Sequence, residues 1–325
     1  MSYRMQAPLR VVGQPEQVDG DFRSDMQAAL AASERSISPK YFYDARGSAL
    51  FDEICTLTEY YPTRTEMGIL RKHADEIAAL AGPQAEVVEF GAGSLTKVRV
   101  LLDAMEQPAR FLPIDISGEH LHAAAARLRS DYSDLVVVPV VSDYTQALQL
   151  PPKPEGAGRR VGFFPGSTIG NFSPEQALRF LRMAARVLRG GALVLGADLL
   201  KDPAVLHAAY NDGLGVTAAF NLNLLVRANR ELGTDFAVDG FAHGAFYNSP
   251  QRRIEMHLVS RQRQDVQLDG RAYRFEEGET LHTENSYKFS VEGLRALAVQ
   301  AGFSPGPVWT DRNSLFSVHW LQAPA

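Results

Sequence analysis

The sequence predicts an α/β protein: a doubly wound, mostly parallel seven-stranded sheet with a second, α+β domain interrupting it. Three observations carry that prediction. Strand-like and helix-like segments alternate from residue 65 to 200. The run Ala85-Glu-Val-Val-Glu-Phe-Gly-Ala-Gly93 has the form of an apolar strand ending in an acid and a tight glycine turn. The alternation stops near residue 201 and resumes near 290.

Taken in order, residues 25–35 and 47–57 have helical spacing, and the stretch Ser36 to Asp44 between them is too rich in turn formers and aromatics for either period. A helix over 65–80 leads into a strand over 85–90. Helix 95–105, strand 110–115, helix 118–128 and strand 135–141 follow, then strand 160–165. Ser173-Pro-Glu-Gln176 is a capping box with proline at the first helical position, opening a helix to 188. Strand 192–199 comes next. Residues 203–231 read as one long helix, and 253–260 and 266–275 alternate with the period of antiparallel strands joined by Asn248-Ser-Pro and Asp269-Gly turns. Helix 291–301 and short strands over 306–309 and 316–322 complete the sheet. The division expected is a discontinuous substrate-binding domain, 1–64 with 201–289, and a cofactor-binding domain, 65–200 with 290–325.

With 45% hydrophobic and 22% charged residues in 325, the composition is that of a soluble globular protein. A formal charge of −5 and the lack of basic clusters interleaved with aromatics argue against nucleic acid as a partner. The apolar runs are of strand length and the first residues are polar, so no membrane association and a cytoplasmic location are expected, with a monomer as the working state. Cys55 is the single cysteine, which excludes an internal disulfide, and its helical setting suits a small buried hydrophobe. No metal is expected: among eight histidines, His120 and His122 stand two apart on a predicted helix and face apart.

Asp115 and Asp143 each lie just past a further apolar run, so three successive strand ends place polar groups on one sheet edge. A nicotinamide fingerprint would continue to a third small residue where Thr96 stands. S-adenosylmethionine has no pyrophosphate; it asks for a glycine turn beside its amino-acid part, a carboxylate for the ribose and a polar group near adenine. Gly91, Asp115 and Asp143 supply these in order, although the same glycines serve an ordinary turn and either Asp alone a helix cap.

Beyond the fourth strand, Phe163-Phe-Pro-Gly-Ser-Thr-Ile-Gly-Asn-Phe172 should point into the same crevice. The Asn171 amide has both donor and acceptor for an amino-acid head group, or else caps the next helix. Ser167 lacks the Gly-x-Ser-x-Gly spacing of a nucleophile elbow. Glu284 and Ser286, two apart in an extended stretch, share a face and suit the two nitrogens of an imidazole, or are two solvated strand residues. The aromatics around Tyr43, Phe51 and Tyr60 either wall a pocket for a cation or fill a core.

Phe42-Tyr-Asp44, Gly47-Ser, Leu50-Phe-Asp52, Glu59-Tyr-Tyr-Pro-Thr-Arg64, Gly166-Ser-Thr-Ile-Gly-Asn171, Gly215-Val-Thr-Ala-Ala-Phe-Asn221, Ile254-Glu-Met256 and Thr283-Glu-x-Ser286 before Lys288-Phe are spread along the chain. With them, nearly the whole chain resembles the S-adenosylmethionine-dependent histidine Nα-methyltransferases of ergothioneine biosynthesis. The resemblance implies a Rossmann-like class I methyltransferase core, and three methyl transfers to the α-amine of free L-histidine, giving hercynine. It places Tyr43, Gly91, Lys97, Asp115, Asp143 and Tyr144 at the methyl donor, with Lys97 as a partner for the donor's carboxylate. It places Asn171 and Tyr210 at the amino-acid head, Tyr60 and Phe51 around the amine, and Glu284, Ser286 and Met256 at the imidazole; Tyr60 and Asn171 would orient the reacting amine. Asn285 stands where the family has an aliphatic residue. The competing expectations are a methyltransferase for another amino acid or small amine, a catalytically silent S-adenosylmethionine binder, and a nicotinamide oxidoreductase, which Thr96 disfavours.

Overall fold

The computed structural model describes residues 22–146 and 148–325. In chain order these form α1 (Phe22–Ala31), a 3₁₀ turn (Pro39–Phe42), α2 (Ala45–Ile54), α3 (Tyr61–Ala81), β1 (Glu86–Phe90), α4 (Thr96–Ala104), β2 (Arg110–Asp115), α5 (Gly118–Asp131), β3 (Val140–Val141) and β4 (Arg160–Phe164). A second 3₁₀ turn (Thr168–Asn171), α6 (Pro174–Val187), β5 (Ala192–Asp198), α7 (Pro203–Tyr210) and α8 (Val216–Leu232) follow. Next come β6 (Phe241–Asn248), β7 (Arg253–Ser260), β8 (Gln264–Leu268), β9 (Arg271–Phe275) and β10 (Thr280–Tyr287), then α9 (Val291–Gln300), β11 (Ser304–Thr310) and β12 (Phe316–Gln322).

The large sheet has seven strands in the order β11-β12-β5-β4-β1-β2-β3, parallel from β5 to β3 and antiparallel at β12 and β11. The central strand β1 is buried along its whole length, as expected where helices cover both faces. Alternate residues feed two cores: Val87, Phe111, Val161 and Phe163 join helices α3 to α5, whereas Val88, Leu112, Ile114 and Phe164 join α6 and α9. Buried Glu86 opens β1 and takes Arg110 and Arg160 from the strands on either side, so ion pairs pin the amino edge of the sheet. The carboxyl edge is left for a ligand.

A third core gathers residues from α1, α2, α7, α8 and the three-stranded sheet β10-β7-β6, with the β8–β9 hairpin. Asp269 and Gly270 turn that hairpin with φ of 49° and 74°, the left-handed pair that a tight two-residue turn requires.

Three sequence expectations need correction. The run 135–141 is not a full strand: Pro139 lacks an N–H for the ladder, Val136 is 55% exposed, and only Val140–Val141 pairs with β2 apart from a bridge at Val137. The helix over 203–231 is two helices. Asn211-Asp-Gly-Leu-Gly215 breaks it, with Asp212 accepting from Val216 N (2.9 Å) and Thr217 N (2.8 Å) and Gly215 at φ 75°. Helix α1 begins and ends earlier than 25–35, and the aromatic stretch after it winds into the first 3₁₀ turn. No helix among the described residues is long and apolar enough to cross a membrane.

Candidate active site

The carboxyl ends of β1, β2 and β4 open into a cavity of about 1700 Å³, whose far wall is built from α2, the start of α3, Tyr210 and β10. That is room for a nucleoside-sized molecule and an amino acid together.

At the sheet edge, Gly91 turns with φ 71°, its N–H and that of Ala92 both donating to Ile114 O at 2.9 Å. A Cβ on Gly91 would stand 3.1 Å from the Tyr144 hydroxyl, so a side chain there would crowd the cavity as well as strain the backbone. Asp115 accepts from Ser117 N at 2.8 Å, and burial lifts its carboxyl above the usual range despite that bond. Asp143 accepts from Thr145 N and hydroxyl at 2.8 and 2.5 Å. The Tyr144 ring packs edge-on against Phe90, Phe164 and Phe180, and burial raises its phenol.

Lys97 lies in the wall, but its ammonium is held by Glu66 at 2.6 Å. Glu66 is fully buried and also accepts from Gly166 N at 2.9 Å. A Cβ on Gly196 would lie 2.0 Å from its Oε1, so glycine in β5 makes room for this acid. Sequence reasoning missed Glu66. The available signal was an acid on the same helical face as buried Ile69, Leu70 and Ile77. Glu89, the last residue but one of β1, is likewise buried in the wall with one oxygen unpartnered, and burial raises it well above the carboxylate range.

On the opposite wall, Tyr43, Phe51, Tyr60 and Tyr210 form a chain of edge-on rings with centroids 5.7, 6.3 and 6.4 Å apart. Burial raises both the Tyr43 and Tyr60 phenols, so both stay neutral donors. Glu284 and Ser286 lie opposite Met256 and Ile254 of β7, on one face of β10. Beneath them Thr283 donates to Asn221 Oδ1 (2.8 Å) and bonds Met256 O, fixing the bulged start of the strand. Asn171 closes the second 3₁₀ turn, which packs tightly on β10: a Cβ on Gly170 would meet Tyr287 O at 2.7 Å.

Ser286 sits in a buried network. Its Oγ accepts from the Tyr210 hydroxyl (2.7 Å) and from Lys288 Nζ (2.8 Å), and Lys288 also pairs with Asp198 at 2.8 Å. Asp198 further accepts from Tyr61 (2.7 Å) and Lys201 (2.5 Å), and the Lys288 and Lys201 ammonium groups hold its carboxylate ionised although buried. With both acceptor positions on Ser286 used, its own proton is left to donate into the cavity. Glu284 beside it is an acceptor when ionised; burial lifts its pKa to about 7, against the pull of Lys288. An acceptor and a donor side by side match the N–H and bare nitrogen of a neutral imidazole. Asp198 and Lys288 carry this polarity, and nothing in their sequence spacing announced it.

Every residue singled out from the sequence stands in the cavity wall except Met256. Met256 is 2% exposed and belongs to the third core, across the strands from Glu284. Asn285 pairs with Glu255 and so alternates away from Glu284 and Ser286.

The model of the histidine-specific, S-adenosylmethionine-dependent methyltransferases matches residues 22–323. The histidine N-alpha-methyltransferase of Mycolicibacterium smegmatis is 44% identical over 295 residues, covering 89% of this chain and 91% of that protein. That of Mycobacterium tuberculosis is 41% identical over 302 residues, 91% of this chain and 93% of that one. Ergothioneine biosynthesis protein 1 of Neurospora crassa is 30% identical over 306 residues, 88% of this chain and 33% of that longer protein. The matched span takes in both the glycine turn with its two carboxylates and the Glu284–Ser286 strand, and the chain belongs to the histidine-specific, S-adenosylmethionine-dependent methyltransferases.

Proposed function

We propose that this protein transfers methyl groups from S-adenosylmethionine to the α-amine of free L-histidine, in three successive steps, giving hercynine for ergothioneine biosynthesis. The observation that carries the reading is the donor-and-acceptor pair Ser286 and Glu284, facing the same cavity as Gly91, Asp115 and Asp143. S-adenosylmethionine supplies an electrophilic methyl on a cationic sulfur and leaves as S-adenosylhomocysteine. The glycine turn that a Cβ would crowd fits its amino-acid part, Asp115 its ribose and Asp143 the surroundings of its adenine, with Tyr43, Tyr144 and Lys97 also lining the donor site.

At the acceptor, Glu284 and Ser286 fix the ring, and Asn171 and Tyr210 hold the amino-acid head. Tyr60 and Phe51 wall the amine and, with Asn171, orient its lone pair toward the methyl group. A nearby cationic sulfur and a desolvated site both favour the neutral amine, so solvent suffices as proton acceptor. Edge-on aromatic rings offer their faces to the growing ammonium. We take residues 1–64 and 201–289 as a substrate-binding domain and the remainder as the methyltransferase domain; residues 1–21 lie outside the described residues, and for the rest the third core, shared by α1, α2 and the 206–281 segment, supports that division. The working form is read as a cytoplasmic monomer without nucleic-acid partners.

The test is S-adenosylhomocysteine release with each amino acid in turn. Turnover with L-histidine alone is expected; turnover of phenylalanine or glutamine at a similar kcat/KM would overturn the ring-reading roles.

A further inference from the structure

The register of the three-stranded sheet assembles a second group of ligating side chains outside the substrate site. On β7, Glu255 and His257 are two apart and share a face, and His282 of β10 lies directly opposite His257. A donor atom from each of the three lies within 4.8 Å of the others. Glu284 and Ser286 alternate to the other face. The three are distant along the chain, so only strand pairing brings them together, which is why no histidine spacing announced them.

We propose that Glu255, His257 and His282 bind one divalent transition-metal ion, of which Zn²⁺ is the best match. Two imidazoles and a carboxylate are the donor set of zinc and its first-row neighbours, and a poor set for Mg²⁺. The surrounding contacts orient these ligands as outer-shell partners do in metal sites. Glu255 Oε1 is clamped by Asn248 (2.8 Å) and Arg253 (2.6 Å), leaving Oε2 to accept from His257 Nε2 (3.2 Å), whose proton an ion entering there would displace. His282 Nε2 lies 3.0 Å from Glu284 O; a carbonyl only accepts, so that nitrogen carries the proton and Nδ1 keeps its lone pair for a ligand.

A second, independent observation points to a missing partner on the same face. His257 Nδ1 is buried and takes no hydrogen bond, and so is the side-chain oxygen of Asn285, which stands opposite Glu255. Two unpartnered buried acceptors beside three ligands are costly unless something electropositive visits them. The rings of His257 and His282 are stacked 4.6 Å apart at 16°, with Phe246 stacked on His257 from outside. Ion binding at about 2.0–2.2 Å draws the donors together by roughly 1 Å and tilts that stack. His282 also borders the cavity, which gives the ion a way in. Because its second nitrogen is bonded to the Glu284 carbonyl, the ion ties β7 to the bulge from which Glu284 projects. Its role is to brace the substrate strand, not to touch the reacting amine.

The test is calorimetric titration of the EDTA-stripped full-length protein with ZnCl₂, in a non-chelating buffer and without L-histidine, itself a chelator. One ion per chain is expected, with a raised Tm and no response to Mg²⁺. His257→Gln and His282→Gln should each weaken binding at least about tenfold, while His73→Gln, which lies elsewhere on α3, should not. Cobalt(II) should give visible ligand-field bands that both variants lose. Absence of saturable zinc binding at micromolar concentrations, or binding unchanged in both variants, would overturn the proposal. None of these readouts depends on methyl transfer.

Discussion

Replacing Glu284 with glutamine keeps the shape of the side chain and removes its charge. The carboxylate is half-buried in the cavity wall, and desolvation there places its folded-state pKa of about 7 above an ordinary value of 4.5. Ionised, it makes a charge-assisted bond to the ring N–H worth about 1.5–3 kcal/mol, against about 0.5–1.5 kcal/mol for the neutral bond left in its place, a difference of about 1–1.5 kcal/mol. At about 1.4 kcal/mol per factor of ten, Glu284→Gln should lower kcat/KM for L-histidine roughly 5- to 12-fold at pH 8. The pH profile should change in form as well. In the native protein kcat/KM rises as Glu284 ionises near pH 7; the variant should lose that limb and keep the one set by the substrate amine. Stability moves the other way. Because the folded pKa is raised, protonated Glu284 contributes stability that is present below about 4.5 and lost as pH rises through about 7, with a ceiling of about 3 kcal/mol. The variant should therefore melt like the native protein at pH 5 and above it at pH 8. S-adenosylhomocysteine release from pH 6 to 9 and melting curves at the two pH values measure both effects. A loss under about threefold with the limb near pH 7 intact would refute the role given to Glu284.

Asn171→Ala should raise the KM for histidine at least about tenfold with S-adenosylmethionine affinity unchanged, checked by kinetics and calorimetry; unaltered kinetics would remove Asn171 from the site. Lys288→Met strips a buried partner from Asp198 and Ser286, so it should cost about 3–5 kcal/mol, seen in denaturant melts, and raise the histidine KM through a misdirected Ser286 hydroxyl. Gly196→Ala forces a methyl group onto Glu66 and should cost about 1–3 kcal/mol while weakening the donor site through Lys97 and Gly166. Asp115→Ala should weaken S-adenosylmethionine binding by about tenfold or more and leave the melting temperature without ligand close to native.

Much of the parallel sheet was legible because its strands are buried on both faces and its helices carry one apolar stripe, so the two periods stand apart in the sequence. The capping box at Ser173 and the Asp269-Gly turn were readable for the same local reason. What misled was also local. Seven apolar residues at 135–141 imitate a strand until Pro139 is given its weight, and the period of 203–231 hides Asn211-Asp-Gly-Leu-Gly215, whose helix break is written in plain turn chemistry. The site divides in the same way. Gly91, Asp115 and Asp143 follow from strand ends, and Glu284 with Ser286 from alternation. Asp198 and Lys288 belong to long-range packing, since they pair with each other from distant parts of the chain and no spacing encodes that contact, while Glu66 left only the trace of an acid on an apolar helix face. Met256, placed beside the ring by resemblance, lies directly across the strand pair from Glu284 on the same face of the sheet, buried in the third core.

The most direct test of the account is mass spectrometry of free L-histidine incubated with the protein and S-adenosylmethionine, alongside the other amino acids. The account predicts a product heavier by three methyl substitutions, all on the α-nitrogen, from histidine alone. Measurable S-adenosylmethionine binding with no heavier histidine product would contradict it.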